Sequence, residues 1–268
     1  MEAEQLLAYT LDVDRIQLYL NPDRPLDQKE LDQFRPLIRE RKSGQPLQYI
    51  TGQSSFMGLS LKIDERALIP RPETEELTEE ILAQFRNEKN LEVLDMGTGS
   101  GAIAIALSRF LVEPNVTAVD KSPKALELAK KNAEANDSSS KIEFRQSDWF
   151  TDIAGRYDII VSNPPYVATG DIAELKEEIK DHEPLKALDG GEEGLVEIKN
   201  ILQKADQYLK PESGVIFLEI GHNQGEKVRD FAASQNFTDI NLLTDTQGND
   251  RIIHGRKGNK HVENCSNS

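Results

Sequence analysis

The chain has a single cysteine, Cys265, among 268 residues, so no disulfide can form within it and a thiolate metal site is argued against. Its four histidines, His182, His222, His254 and His261, are scattered. None pairs with another at i, i+4 around a glutamate, as a zinc hydrolase would need, and no metal is expected. No apolar run reaches the length of a membrane span, and Met1-Glu2-Ala3-Glu4 is acidic where a secretory signal is basic. A cytoplasmic protein with no membrane partner is the expectation. Basic residues are also in short supply, 32 Lys and Arg against 47 Asp and Glu, for a net charge of −15. Clustered Lys and Arg supply the grip on a phosphate backbone, so direct nucleic acid binding is not expected. Residues 1–68 hold nine basic and eleven acidic residues, which leaves −13 of the −15 to the remainder.

What is present is the 37% hydrophobic content of a globular protein, in a length that suits one α/β domain and a smaller companion. Leu6, Leu7, Leu11, Ile16, Tyr19 and Leu20 recur at helical spacing and predict a helix over 3–20, stopped by Asn21-Pro22. A second helix fits 27–42, with Asp27 as its cap, Leu31, Phe34, Leu37 and Ile38 as its stripe, and Gly44 beyond its end. From Tyr49 to Ile63 the period changes to two, a hairpin pattern. The expected division is a helical domain over 1–48, a β-hairpin linker over 49–68, an α/β domain over 69–258 and a disordered tail over 259–268. Within the third segment, strands near 91–95, 115–120, 141–146, 157–162 and 214–220 alternate with helices, and two more strands fall near 237–243 and 251–256. Such alternation predicts a mostly parallel, doubly wound sheet.

The strand Leu91–Asp95 runs into Met96-Gly97-Thr98-Gly99-Ser100-Gly101 and then the apolar helix from Ala102. Glycines there let the backbone turn sharply against a ligand at a helix N-terminus. Asp120 ends the next strand, where an acid can accept hydrogen bonds from ribose hydroxyls. Gly97, Gly99 and Ala102 also satisfy the dinucleotide pattern, so the loop alone does not separate NAD from S-adenosyl-L-methionine. Asp95, placed to meet a cationic amino group, and Gly101 favour the sulfonium cofactor. Asp148-Trp149 follows the third strand on the same edge of the sheet, where an acid and an aromatic can flank adenine; Trp149 fits a core anchor equally well.

Asn163-Pro164-Pro165-Tyr166 follows the strand 157–162 directly. Methyl transfer from a sulfonium is an in-line displacement, so the protein's main task is to align the nucleophile. The Asn163 side-chain oxygen and the Pro164 carbonyl can each accept one N–H of an NH2 group. Pro165 stiffens the turn and Tyr166 can stack on a planar substrate. Exocyclic NH2 groups of bases suit the same loop, so adenine-N6 or related nucleic acid methylation is the alternative, opposed by the acidic charge. A nucleotide-binding regulator would leave this loop without a purpose.

Beyond these loops, the chain resembles the protein-(glutamine-N5) methyltransferases of peptide-chain release factors (the HemK/PrmC family). The likeness spans nearly the whole chain: Gln45–Gly52, Ile69–Glu75, Asp95–Gly101, Asn163–Tyr166, Glu183-Pro184, Ala187-Leu188, Gly190-Gly191 and Asp250-Arg251. The resemblance implies a seven-stranded class I (Rossmann-like) methyltransferase domain behind a small helical substrate-recognition domain. By it, the Gly-Gly-Gln glutamine of class I release factors would lie between the domains; a monomer is the separate expectation. Gly97, Thr98, Gly99, Ser100, Gly101, Asp120, Trp149 and Asn163 would hold the cofactor, and Asn163, Pro164, Pro165 and Tyr166 the glutamine.

Overall fold

The computed structural model describes residues 2–245 and 247–258; the expected disordered tail, with Cys265 and His261, lies outside the described residues. Four helices open the chain: α1 (Glu2–Leu11), α2 (Arg15–Leu20), α3 (Gln28–Lys42) and α4 (Leu47–Thr51). The single helix expected over 3–20 is broken, because Asp12 takes a positive φ of 51° and the Asp12 and Val13 amides cap α1 by donating back to Tyr9 and Ala8. At α3 the capping box is complete, with Asp27 accepting from Glu30 N and Glu30 from Asp27 N. Residues 49–51, read as the start of the hairpin, instead belong to α4. Ile50 is buried, and Gly52 ends the helix in the left-handed region at φ 68°. The hairpin proper is β1 (Gln53–Phe56) and β2 (Leu59–Lys62), and α5 (Pro72–Phe85) follows.

Alternation then proceeds through β3 (Glu92–Met96), α6 (Ala102–Phe110), β4 (Asn115–Asp120), α7 (Pro123–Ala135), β5 (Ile142–Gln146) and β6 (Ile159–Ser162). After α8 (Glu177–Lys180) and α9 (Val196–Tyr208) come β7 (Val215–Glu219), α10 (Gly225–Ser234), β8 (Phe237–Thr244) and β9 (Asp250–Lys257). The seven later strands form one sheet in the order β5-β4-β3-β6-β7-β9-β8, parallel except for β9 against β7 and β8 against β9. Ile159 and Val161 of β6 join one buried cluster with residues of α5 and α6, while Ile160 joins a second with residues of α9 and α10. Successive side chains on a strand face opposite ways, so near-continuous apolar runs such as Ile159-Ile160-Val161 belong to strands covered on both faces. The strand order reverses between β3 and β6, and this puts a crevice at the carboxyl ends of those two strands.

Candidate active site

The loop after β3 fills one side of that crevice. Asp95, 1% exposed, lies beneath it: its Oδ2 accepts from Thr98 Oγ1 at 2.6 Å and from the Ala104 amide at 3.2 Å. Its Oδ1 is buried without a partner, and burial pushes the carboxyl up to about 7. The Gly97 and Thr98 amides both donate to Val119 O, which ties the start of the loop to the end of β4. Gly101 caps α6 at φ 84°, and a Cβ there would stand 3.1 Å from that of Ala129, so close approach of α7 requires glycine. Asp120 closes the loop from the next strand, accepting from Gly99 N at 2.9 Å and Ser122 N at 2.8 Å. Burial raises its pKa against these bonds.

The packing of Trp149 bears on the core-anchor reading of it. It packs half-buried against the second core cluster, at a positive φ of 51°, and its ring lies over Gly97, where a Cβ would touch it at 3.7 Å. Glu197 in the first turn of α9 holds the indole, accepting from Nε1 at 2.6 Å. Asp148 shares the edge of the sheet, but its carboxylate pairs with exposed Lys121 at 2.6 Å.

On the other side stands the Asn163–Tyr166 turn. Asn163 Nδ2 donates to Thr74 Oγ1 at 2.9 Å, and Thr74 Oγ1 donates to Glu219 Oε2 at 2.6 Å. Tyr166 OH donates to Glu219 Oε1 at 3.0 Å. Burial raises the Tyr166 phenol and pushes Glu219, which is fully buried, up to about 7. Behind the turn, Gln224 Nε2 donates to Tyr166 O at 2.9 Å, and a Cβ on Gly190 would stand 2.6 Å from Pro165 O.

Several residues quoted only as family markers acquire work in this setting. Glu183, buried, accepts from Ile69 N at 3.2 Å and pairs with Arg71. Tyr49 OH donates to Ala67 O at 2.9 Å, and Arg251 pairs with Asp245 at 2.9 Å. Thr74 too was quoted only within the family stretch Ile69–Glu75, and missed altogether were Glu219, Glu197 and Asn132. Buried Asn132 binds both Lys62 N and O of the hairpin and also donates to Ser100 O at 2.9 Å, tying β2 to the glycine loop.

A sheet of this order, with a glycine loop after β3 and an Asn-Pro-Pro-Tyr turn after β6, defines a class I methyltransferase. A family model described as "Methyltransferase small domain" matches residues 73–182 and one described as "PrmC N-terminal domain" matches residues 1–52. The chain is 39% identical over 259 residues to a release factor glutamine methyltransferase of Geobacter sulfurreducens, spanning 96% of this chain and 89% of that protein. With a protein of the same name from Buchnera aphidicola, identity is 41% over 256 residues, spanning 96% and 92%. The crystal structure of a methyltransferase from Pyrococcus furiosus shares the fold at 18% identity, with a TM-score of 0.57 over 85% of this chain and 98% of that one. The chain belongs to the release factor glutamine methyltransferase family.

Proposed function

We propose that this chain transfers a methyl group from S-adenosyl-L-methionine to the side-chain amide nitrogen of the glutamine in the Gly-Gly-Gln loop of class I peptide-chain release factors. The supporting observation is the orientation of Asn163: its NH2 is taken by Thr74, which leaves Oδ1 free to accept an N–H, beside the carbonyl of Pro164. Two acceptors at one point suit an NH2 group and hold it against a reaction that otherwise depends on alignment. Favourable contact to the N–H groups grows as positive charge develops on nitrogen, so no strong base is required before transfer.

The residues of the glycine loop fit the cofactor. A buried carboxylate oxygen without a partner, Asp95 Oδ1, is a place for a cationic amino group. Asp95, Gly97, Thr98, Gly99, Ser100, Gly101, Asp120 and Trp149 would hold it, with Asn163 at the boundary between cofactor and glutamine. When bound, S-adenosyl-L-methionine supplies an electrophilic methyl on sulfur whose leaving group is neutral.

The helical domain over 1–48 is the docking platform for the release factor. A groove of about 860 Å³ runs between it, the hairpin and Pro70–Pro72, lined by residues that include Gln5, Tyr9, Arg15, Gln48 and Arg71. The groove does not reach the glycine loop, so we assign it to the protein substrate. Among the described residues no helix is long and apolar enough to cross a membrane, and we place the enzyme in the cytoplasm, acting as a monomer without binding nucleic acid directly. The test is incubation with labelled cofactor and, in separate reactions, a purified release factor and unmethylated DNA. Label is expected on the Gly-Gly-Gln glutamine alone, and replacing either glycine with valine should block it. Label on adenine would support base methylation instead; label on a release-factor lysine would overturn the glutamine assignment.

A further inference from the structure

Thr74 and Glu219 stand outside both loops, yet they decide how Asn163 can present its amide. Strands β6 and β7 are parallel neighbours in the register Ser162↔Leu218, so the next positions along, Asn163 and Glu219, come side by side at the carboxyl edge. The first turn of α5 lays Thr74 across them. A threonine hydroxyl carries one proton. Thr74 gives its proton to Glu219 Oε2 at 2.6 Å, so it can only accept from Asn163, whose Nδ2 stands at 2.9 Å. The second oxygen of the same carboxylate takes the Tyr166 hydroxyl at 3.0 Å. One buried acid thereby sets the side chains at both ends of the turn.

We propose that Glu219, acting through Thr74, is a positioning residue that turns the Asn163 carbonyl oxygen toward the substrate NH2 and strengthens it as an acceptor. Hydrogen bonds in a chain polarise one another, and a carboxylate at the far end leaves more negative charge on Asn163 Oδ1. The position is costly for an acid: Glu219 is fully buried, and no Lys or Arg among the described residues forms an ion pair with it. A buried apolar residue would fill the same space without that cost, but it could not fix the direction of the Thr74 hydroxyl.

The inference rests on Asn163 acting as the acceptor, and the test separates the two. Steady-state kinetics use the full chain, a purified class I release factor and S-adenosyl-L-methionine, with calorimetry for the cofactor and thermal melts for folding. Thr74→Val should lower kcat by about tenfold or more while the release-factor KM and cofactor affinity stay within about twofold, the signature of an interaction made in the transition state. Thr74→Ser, which keeps the hydroxyl, should recover turnover to within about threefold of the parent. Glu219→Gln should lower kcat comparably, and the double variant should be no slower than the slower single one, because both cut one chain. Unchanged kcat in Thr74→Val, losses that multiply in the double variant, or a serine variant as slow as valine would each overturn the relay. Should Thr74→Val fail to fold, the serine and glutamine variants decide by the same criteria. If Asn163→Ala keeps its turnover, the reading of the site falls and the relay with it; if Asn163→Ala is slow and Thr74→Val is not, only the relay falls.

Discussion

Asp120 and Asp148 lie 28 residues apart on one edge of the sheet, and their surroundings assign them different weights. Asp120 accepts from two loop amides, so Asp120→Ala should weaken cofactor binding by about 1.5–3 kcal/mol, the scale of lost charge-assisted hydrogen bonds. Asp148 is engaged with an exposed lysine, and Asp148→Ala should change affinity by less than about fivefold, as for other surface pairs. Calorimetry on the two variants checks both. Asn163→Ala should leave the fold intact and lower turnover by about a hundredfold or more, the scale of one preorganised group. Glu219 adds a pH dependence. Burial pushes its pKa in the folded state up to about 7, above the 4.5 of an ordinary glutamate, so the folded state binds the extra proton. Stability from this group is full below about pH 4.5 and is lost as the pH rises toward 7. The melting temperature of Glu219→Gln should therefore fall less over that window than that of the parent; parallel curves would place the carboxyl near its ordinary value.

At the scale of elements, what could be read from the chain was what short stretches decide for themselves. The cap at Asp27 and the turn from β3 into α6 each depend on a few adjacent residues, and both were legible. The break at Asp12 was not, since a non-glycine residue at positive φ leaves no compositional mark. Nor was α4, whose apolar residues also fit the period of the hairpin that follows. The segment after the Asn163 turn forms a short 3-10 stretch and α8, docked on the helical domain through Arg41 and Glu178 at 3.0 Å. The Thr74–Glu219 link was invisible for a related reason. It joins positions 145 residues apart and exists only once α5 packs against β7. Local rules do predict the cost of altering Gly101: alanine there meets both a positive φ and Ala129 at 3.1 Å. Gly101→Ala should lose about 1–3 kcal/mol in denaturant unfolding, with α7 or the loop shifting to make room.

Across the whole molecule, the proposed function divides the reaction between two parts of the chain. On that proposal the crevice at the sheet edge meets only a single NH2 group and is blind to what lies beyond the glutamine side chain. Among the described residues the helical domain carries four of the seven exposed large apolar side chains, Tyr9, Ile16, Tyr19 and Leu20, and the others, Phe110, Leu185 and Val196, lie apart in the α/β domain. Arg41 bridges Glu2 of its first helix to Glu178 beyond the Asn163 turn, so the platform is tied to the segment that leaves the active site. A partner gripped this way gains binding that is equal in the ground and transition states. Its loss should therefore raise KM and spare kcat. The paired change Tyr9→Ser with Leu20→Ser, at side chains 46% and 70% exposed, should leave folding and cofactor affinity unaltered. It should raise KM for an intact release factor by about tenfold, the effect of removing one or two interface anchors. A short peptide containing Gly-Gly-Gln reaches only the crevice, so its slow methylation should proceed at the same rate in parent and variant. Equal losses on peptide and protein would move the docking role off the helical domain, while an unchanged KM for the intact protein would leave α1 and α2 without a part in recognition.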